Sequence, residues 1–203
     1  MMNKKIKLVF GSTLLALTIL VFAGIKMMSK SSDYYQKNAT LPVTYMSASW
    51  AYNYADFNEL TDSSDIIAVV KITGINKEVA SDIPMTYYNA SVEQSIFSAK
   101  IGDKIVIPFT GINNNTKHVE ISDDPLPNIG SEYLIFAKRN DDGSYTILSG
   151  SEGRYDFNNG AISSLNYTHN SVGKAAIDVH NKNFMDLKSK IQAHKINKEV
   201  IIQ

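Results

Sequence analysis

Chemistry at neutral pH needs a nucleophile, a general acid–base pair or a bound metal, and this chain has few residues able to supply one. It contains no cysteine, which closes off thiol catalysis and thiolate metal ligation. Its four histidines, His118, His169, His180 and His194, form neither an H-x-x-x-H pair nor an H-E-x-x-H motif. His118-Val119-Glu120 does set two ligand types on one strand face. The ordinary role of such a pair beside a polar loop is a solvent-facing contact. Asp123-Asp124 and Asp141-Asp142 do not open a D-x-[DN]-x-[DN]-G calcium loop, and acids beside prolines and glycines are turn formers. Gly150-Ser151-Glu152-Gly153 lacks the G-x-S-x-G spacing of a hydrolase elbow and the strand–loop–helix setting of a phosphate cradle. No catalytic residue, no metal site and no cofactor is therefore expected.

Three weaker candidates remain. Arg154 is one of very few arginines in the chain; it reads either as a clamp for a ligand or as a strand residue paired with an acid. A carboxylate pair for sugar hydrolysis is a matter of separation, which the fold sets, so a hydrolase of cell-surface polymers stays open as an alternative function. The stretch YMSASWAYNYADF, Tyr45 to Phe57, is dense in rings and holds the only tryptophan. Trp50, Tyr52 and Tyr54 are the candidate binding residues, because aromatic side chains make effective contact hot spots. Their other reading is a lead-in segment packed onto the domain.

The elements that would position these residues lie behind a targeting segment. Lys4, Lys5 and Lys7 precede an uncharged apolar run from Leu8 to Ile25. About 18 such residues suit either a signal peptide or a membrane-spanning anchor. The lysine excess keeps that end in the cytoplasm and sends the rest across, so the chain is expected at the membrane facing outward, or secreted after cleavage. Residues 1–30 are this segment, 31–44 a polar tether, and 45–203 one extracytoplasmic domain. With twenty acidic and twenty basic residues, some of the lysines in the targeting segment, the exported part is mildly acidic and carries no electrostatic footprint for nucleic acid. A cysteine-free, lysine- and asparagine-rich composition fits a Gram-positive bacterium, where the N-x-[ST] sequons at Asn38, Asn89, Asn114 and Asn166 are expected unmodified.

Within 45–203 the patterning predicts mostly strands. FNELTDSSD is a short helical turn, with Phe57 and Leu60 on one face. DIIAVVKITGI, Asp65 to Ile75, is nearly continuously apolar through Val70, the signature of a strand buried on both faces. Asn76 to Pro84 reads as a loop. Thr86 to Phe97 alternates, with Tyr88, Ala90 and Val92 on one side, as a half-exposed antiparallel strand does. A Gly102-Asp103 turn leads to a strand from Lys104, expected to halt at Pro108 because proline cannot donate to a ladder. HVEIS, EYLIFAKRN and SYTILSG follow, the last two joined by an Asp-Gly hairpin turn, and RYDFNNGAISSL turns at Asn159-Gly160. From Asn181 the period changes: Phe184, Leu187 and Ile191 share one helical face. The fold class expected is mainly β, a small closed antiparallel barrel with a short N-terminal helix and one C-terminal amphipathic helix.

The order of these motifs, ELxxxSD, an all-apolar strand, TxYxxxVEQ, IGDKIVI, PLPxxGxEYLIF and GRYxFxNGxI, covers about Asn58 to Leu165. It resembles a loosely defined group of uncharacterised, exported proteins of Gram-positive bacteria. That resemblance implies an OB-type barrel, distantly similar in architecture to tissue inhibitors of metalloproteinases. Those inhibitors act through an N-terminal cysteine, which this chain lacks, so their mechanism is not carried over. The function expected is a non-enzymatic binding domain facing the cell wall, whose partner is a protein or a cell-wall polymer, with the membrane engaged through the N-terminal segment. A membrane-anchored regulatory or immunity-type protein, in which the anchor is the active part, is the remaining alternative.

Overall fold

A computed structural model describes residues 41–50, 52–165 and 174–202. The targeting segment, most of the tether, His169 and two of the sequons, Asn38 and Asn166, lie outside the described residues. Among these, no helix is long and apolar enough to cross a membrane. The chain divides into two units, one of Met1–Pro42 with Asn113–Lys117, the other of Val43–Ile112 with His118–Gln203. Of the first, the described part includes an exposed turn in which Asn114 Oδ1 accepts from the N–H groups of Thr116 (3.0 Å) and Lys117 (3.1 Å).

The larger unit is mainly β. Its strands are β1 (Thr44–Met46), β2 (Ile66–Val79), β3 (Met85–Phe97), β4 (Lys104–Asn113), β5 (His118–Ile121), β6 (Glu132–Arg139), β7 (Tyr145–Ile147), β8 (Arg154–Asn158) and β9 (Ala161–Ser164). They form one sheet in the order β1-β5-β4-β3-β2-β6-β8-β9, with β7 paired to β6. Three helices accompany it: α1 (Phe57–Ser63), α2 (Lys174–Val179) and α3 (Phe184–Ile202). All described ladders are antiparallel except β1 with β5, where Thr44 lies beside Val119 and Met46 beside Ile121.

Strand β2 is the spine, and its apolar run is buried on both faces as its composition predicts: Ile66 to Val70 are all at most 2% exposed. Because side chains alternate along a strand, the two faces feed two cores. Ile67 and Val69 join Leu134, Phe136, Tyr155, Phe157 and Ile162 beneath the helices. Ile66, Ala68, Val70 and Ile72 join Tyr88, Val92, Ile107, Phe109, Tyr133 and Ile135 on the other side. The first core is roofed by α1 through Phe57 and Leu60 and by α3 through Phe184, Leu187 and Ile191, all at most 3% exposed. Asp56 caps α1, accepting from the N–H groups of Asn58 (2.8 Å) and Glu59 (3.0 Å). Glu59 reaches back to the Ala55 N–H at 2.8 Å, so two of the donors a helix start leaves unpaired are satisfied reciprocally.

The sheet curls strongly. Register shifts between β2 and β3 fall at four places along the pair, and each bulge sharpens the twist. The curl brings Phe109 of β4 within 4.9 Å of the Arg154 guanidinium on β8, although three strands separate β4 from β8 in the sheet order. The barrel is nevertheless not closed, contrary to the sequence expectation: among the described residues, no ladder joins β9 to β1. The reason lies at β9. Asn181 N–H donates to Ile162 O (2.9 Å) and Phe184 N–H to Gly160 O (3.1 Å). The link between α2 and α3 thus takes hydrogen bonds that a closing strand would need.

Three local expectations are also corrected. β2 runs on to Val79 and β3 starts at Met85, so the loop is shorter than Asn76 to Pro84. Thr73 Oγ1 donates to Asn89 O at 3.1 Å and Asn76 pairs with the Asn89 side chain at 3.0 Å, which lets polar residues extend the ladder. β4 passes through Pro108 instead of halting. Gly111 N–H points across to Pro84 O (2.8 Å); by alternation the nitrogen of Pro108 faces away from β3, where its missing donor breaks nothing. Finally, β1 and α2 had no counterpart in the periodicity, being three and six residues long.

Candidate functional site

The stretch after Ile121 joins β5 to β6 and anchors on a buried ion pair. Arg154 is 1% exposed. Its Nη2 donates to Asp124 Oδ1 at 2.8 Å and to the Pro125 carbonyl at 2.6 Å. The guanidinium also lies over the rings of Phe109 (4.9 Å) and Tyr133 (5.2 Å), a favourable arrangement for a desolvated cation. Burial pushes the Asp124 carboxyl up from its ordinary value, against the pull of the guanidinium. Of the two sequence readings of Arg154, the strand residue paired with an acid is the one the geometry realises. The acid sits thirty positions earlier in the chain.

Beside this pair the inner face of the curled sheet opens into a polar cleft of about 520 Å³, within the range of small-ligand sites. Its walls include Ser131 and Glu132 at the start of β6, Asp156 and Asn158 of β8, Asn159 of the turn and Ser163 of β9. The register explains the grouping. Asp156 stands opposite Tyr133 on one side and Ser163 on the other, and Tyr133 belongs to the inner core, so Asp156, Ser163 and Asn158 share that face. Phe157 also borders the cleft, but its ring is buried in the core beneath the helices, so it offers backbone only. Burial raises the Asp156 carboxyl, with Arg154 opposing. Glu132 is 3.6 Å from Lys71 across the β2–β6 ladder.

The three aromatic candidates do not present one exposed face. Tyr54 is 8% exposed and belongs to the core beneath the helices. Its phenol is raised mainly by burial, with a hydrogen bond to Ser63 acting the other way. Tyr52 is 51% exposed, its ring centroid 4.9 Å from that of Tyr54, and its hydroxyl donates to Glu59, which raises the phenol. Trp50 is half-buried against Gly150, where a Cβ would overlap the indole. Gly150 has φ 56°, so this position needs glycine both for its backbone and for the ring it receives. Glu152 lies next to the same segment; burial raises its carboxyl while the Tyr54 backbone N–H lowers it.

Other titratable groups form ion pairs within the fold. His118 and Glu120 pair at 2.8 Å. His194 and Lys198 of α3 reach Asp62 of α1 at 3.0 and 2.9 Å, and this company holds the Asp62 carboxyl below its ordinary value despite partial burial. Among the described residues, no group of three or more His, Cys, Asp or Glu side chains is placed to hold a metal ion. The cleft itself escaped sequence reasoning. The available signal was the alternation of RYDFNN, which sets Asp156 and Asn158 on one face, but nothing in the sequence says that this face is concave. No protein-family model matches the chain, and neither a curated protein nor a solved structure does.

Proposed function

We propose that the chain is a non-enzymatic extracytoplasmic binding domain, membrane-tethered or secreted and facing the cell wall, whose ligand is a cell-surface polymer. The observation that carries this reading is the open polar cleft lined by Asp156, Asn158 and Ser163, which offers hydrogen-bonding groups to a ligand. The N-terminal sequence supports export, and the motif order resembles that of exported Gram-positive proteins with OB-type domains. Tyr52, exposed beside α1, and Trp50 supply a second contact surface. Capture of envelope polymers by the purified full chain, lost on combined Asp156→Asn and Asn158→Ala substitution, is the expected result. Capture unchanged by those substitutions, and equally unchanged by replacing Trp50 and Tyr52 with alanine, refutes it.

A second reading, hydrolysis of the same polymers, is favoured by one observation: the Asp156 carboxyl that lines the cleft is raised by burial, as a general acid requires. It predicts release of reducing ends from envelope polymer by the wild-type chain and none by Asp156→Asn. Retention of polymer without cleavage selects the binding reading.

A further inference from the structure

Several ring faces and acids of this fold are supplied with a cation by the chain itself. Lys77 lies over Tyr87 and Lys195 over Phe97, both at 4.2 Å, and Lys190 over Phe57 at 4.7 Å. Asp62, Asp124 and Glu132 each stand in an ion pair. One corner, where the segment before α1 meets the Gly150–Glu152 turn, departs from this habit. Among the described residues, no lysine or arginine lies over Trp50 or Tyr52. The two acids beside them, Glu59 and Glu152, take part in no ion pair. The corner is fixed from both sides: the Ser149 hydroxyl donates to the Tyr52 carbonyl, and the Trp50 indole is seated on Gly150.

From this we infer that Trp50 and Tyr52 receive an alkylammonium group, a quaternary or methylated amine, whose charge is matched by Glu59 and Glu152. The inference rests on the binding reading above and gives the chemistry of its second contact surface. Three features decide the ligand class. Tyr52 is half-exposed and its hydroxyl donates to Glu59; a phenol polarised by a carboxylate has a ring richer in electron density, and a cation is drawn to that face. Glu152 Oε2 is buried without a hydrogen-bond partner, so a negative charge there is costly until a positive one stands near it. Neither acid is open for coordination, since Glu59 spends its oxygens on the Tyr52 hydroxyl and the Ala55 N–H (2.8 Å) and Glu152 Oε2 is covered. A hard metal ion, which needs several oxygen ligands in contact, is therefore poorly served. A cation whose charge is spread over methyl groups needs only ring faces and an acid a few ångströms away, acting through a dry layer.

The test is titration of the full chain, in a non-ionic detergent at fixed ionic strength, with choline and with dimethylbutanol, its uncharged carbon isostere. Trp50 is the only tryptophan, so its fluorescence reports on the site directly. The expected result is a saturable change with choline and binding of the isostere weaker by about fivefold or more. Tyr52→Leu removes the ring and Glu152→Gln removes only a charge, and each is expected to weaken choline by about fivefold or more; Glu59→Gln takes the place of either should it fail to fold. Equal binding of the isostere overturns the charge argument, and choline binding that the variants leave unchanged overturns the site. Absence of a saturable response to choline overturns the inference, while envelope capture by the same preparation decides separately whether the binding reading stands. Release of captured polymer by free choline places the amine on the polymer; choline binding without release places it on a free compound and overturns the link to the second contact surface.

Discussion

Replacing Asp124 with asparagine removes one charge from a pair that is almost completely dry, Arg154 being 1% and Asp124 8% exposed. Breaking a buried ion pair on one side costs about 3–5 kcal/mol, because the surviving charge is left uncompensated. Here the low end applies. The guanidinium keeps its 2.6 Å bond to the Pro125 carbonyl and its two ring contacts, and the asparagine carbonyl still accepts from Nη2. With a urea slope of about 2 kcal/mol per molar, a loss of about 3 kcal/mol lowers the midpoint by about 1.5 M. The double variant Asp124→Leu with Arg154→Met exchanges the pair for apolar packing against Phe109 and Tyr133, and is expected within about 1 kcal/mol of wild type. Equilibrium urea unfolding followed by tyrosine and tryptophan fluorescence measures wild type, Asp124→Leu, Arg154→Met and their combination as the four corners of the cycle, with Asp124→Asn beside them. If Asp124→Asn shifts the midpoint by less than about 0.25 M, or if the two single losses simply add in the double variant, the pair does not hold the β5–β6 link as reasoned.

Three further outcomes follow from the same packing. On α3, Ile191→Ala empties a fully buried position and costs about 2–5 kcal/mol, whereas Met185→Ala and Ile196→Ala, at positions 62% and 60% exposed, stay within about 0.5 kcal/mol in the same unfolding assay. Gly153→Ala would drive a methyl group into the carbonyl oxygens of Leu148 and Phe136; both are backbone, so an overpacking loss of about 1–3 kcal/mol is expected, and a midpoint equal to wild type contradicts the tight approach. The pH dependence runs in three windows. The raised carboxyls of Asp156 and Glu152 contribute stability present in full below about pH 4 and lost as pH climbs through their folded values. The lowered Asp62 contributes stability present above about pH 4 and lost in stronger acid. Buried Tyr155, whose phenol burial raises far, makes stability fall above about pH 10, where only the unfolded chain ionises. Urea midpoints are thus expected to be higher near pH 5 than at pH 7 and to fall again towards pH 11; a midpoint that rises steadily from pH 5 to pH 8 contradicts these directions.

Much of the fold could be read from local patterns because local physics decides those parts. The five-residue apolar core of β2, the alternation of β3, the Asp-Gly and Asn-Gly turns and the face of α3 formed by Phe184, Leu187 and Ile191 are each set by residues within a few positions of one another. What could not be read is non-local. Closure of the sheet depends on whether β9 meets a strand or the Asn181–Phe184 link, and no periodicity encodes that choice. The passage of β4 through Pro108 depends on which side β3 occupies. The candidate site shows the same division. Arg154 was visible as a rare arginine in a strand, but its partner thirty residues earlier was not. The concavity beside Asp156 arises from curl accumulated over bulges in β2 and β3. Of the aromatic candidates, their types were plain, while the burial of Tyr54 and the seating of Trp50 on Gly150 depend on a segment some hundred residues downstream.

The hydrogen bonds from Asn181 and Phe184 to the rim of β9 also set an order of events during synthesis. Until those residues leave the ribosome, a strand with free carbonyls and the apolar underside of the sheet stand open, a ready template for pairing with another nascent chain. The last helix is therefore the lock on solubility. A chain stopped before about residue 180 has all nine described strands and is expected to accumulate as aggregate, although it lacks no part of the cleft.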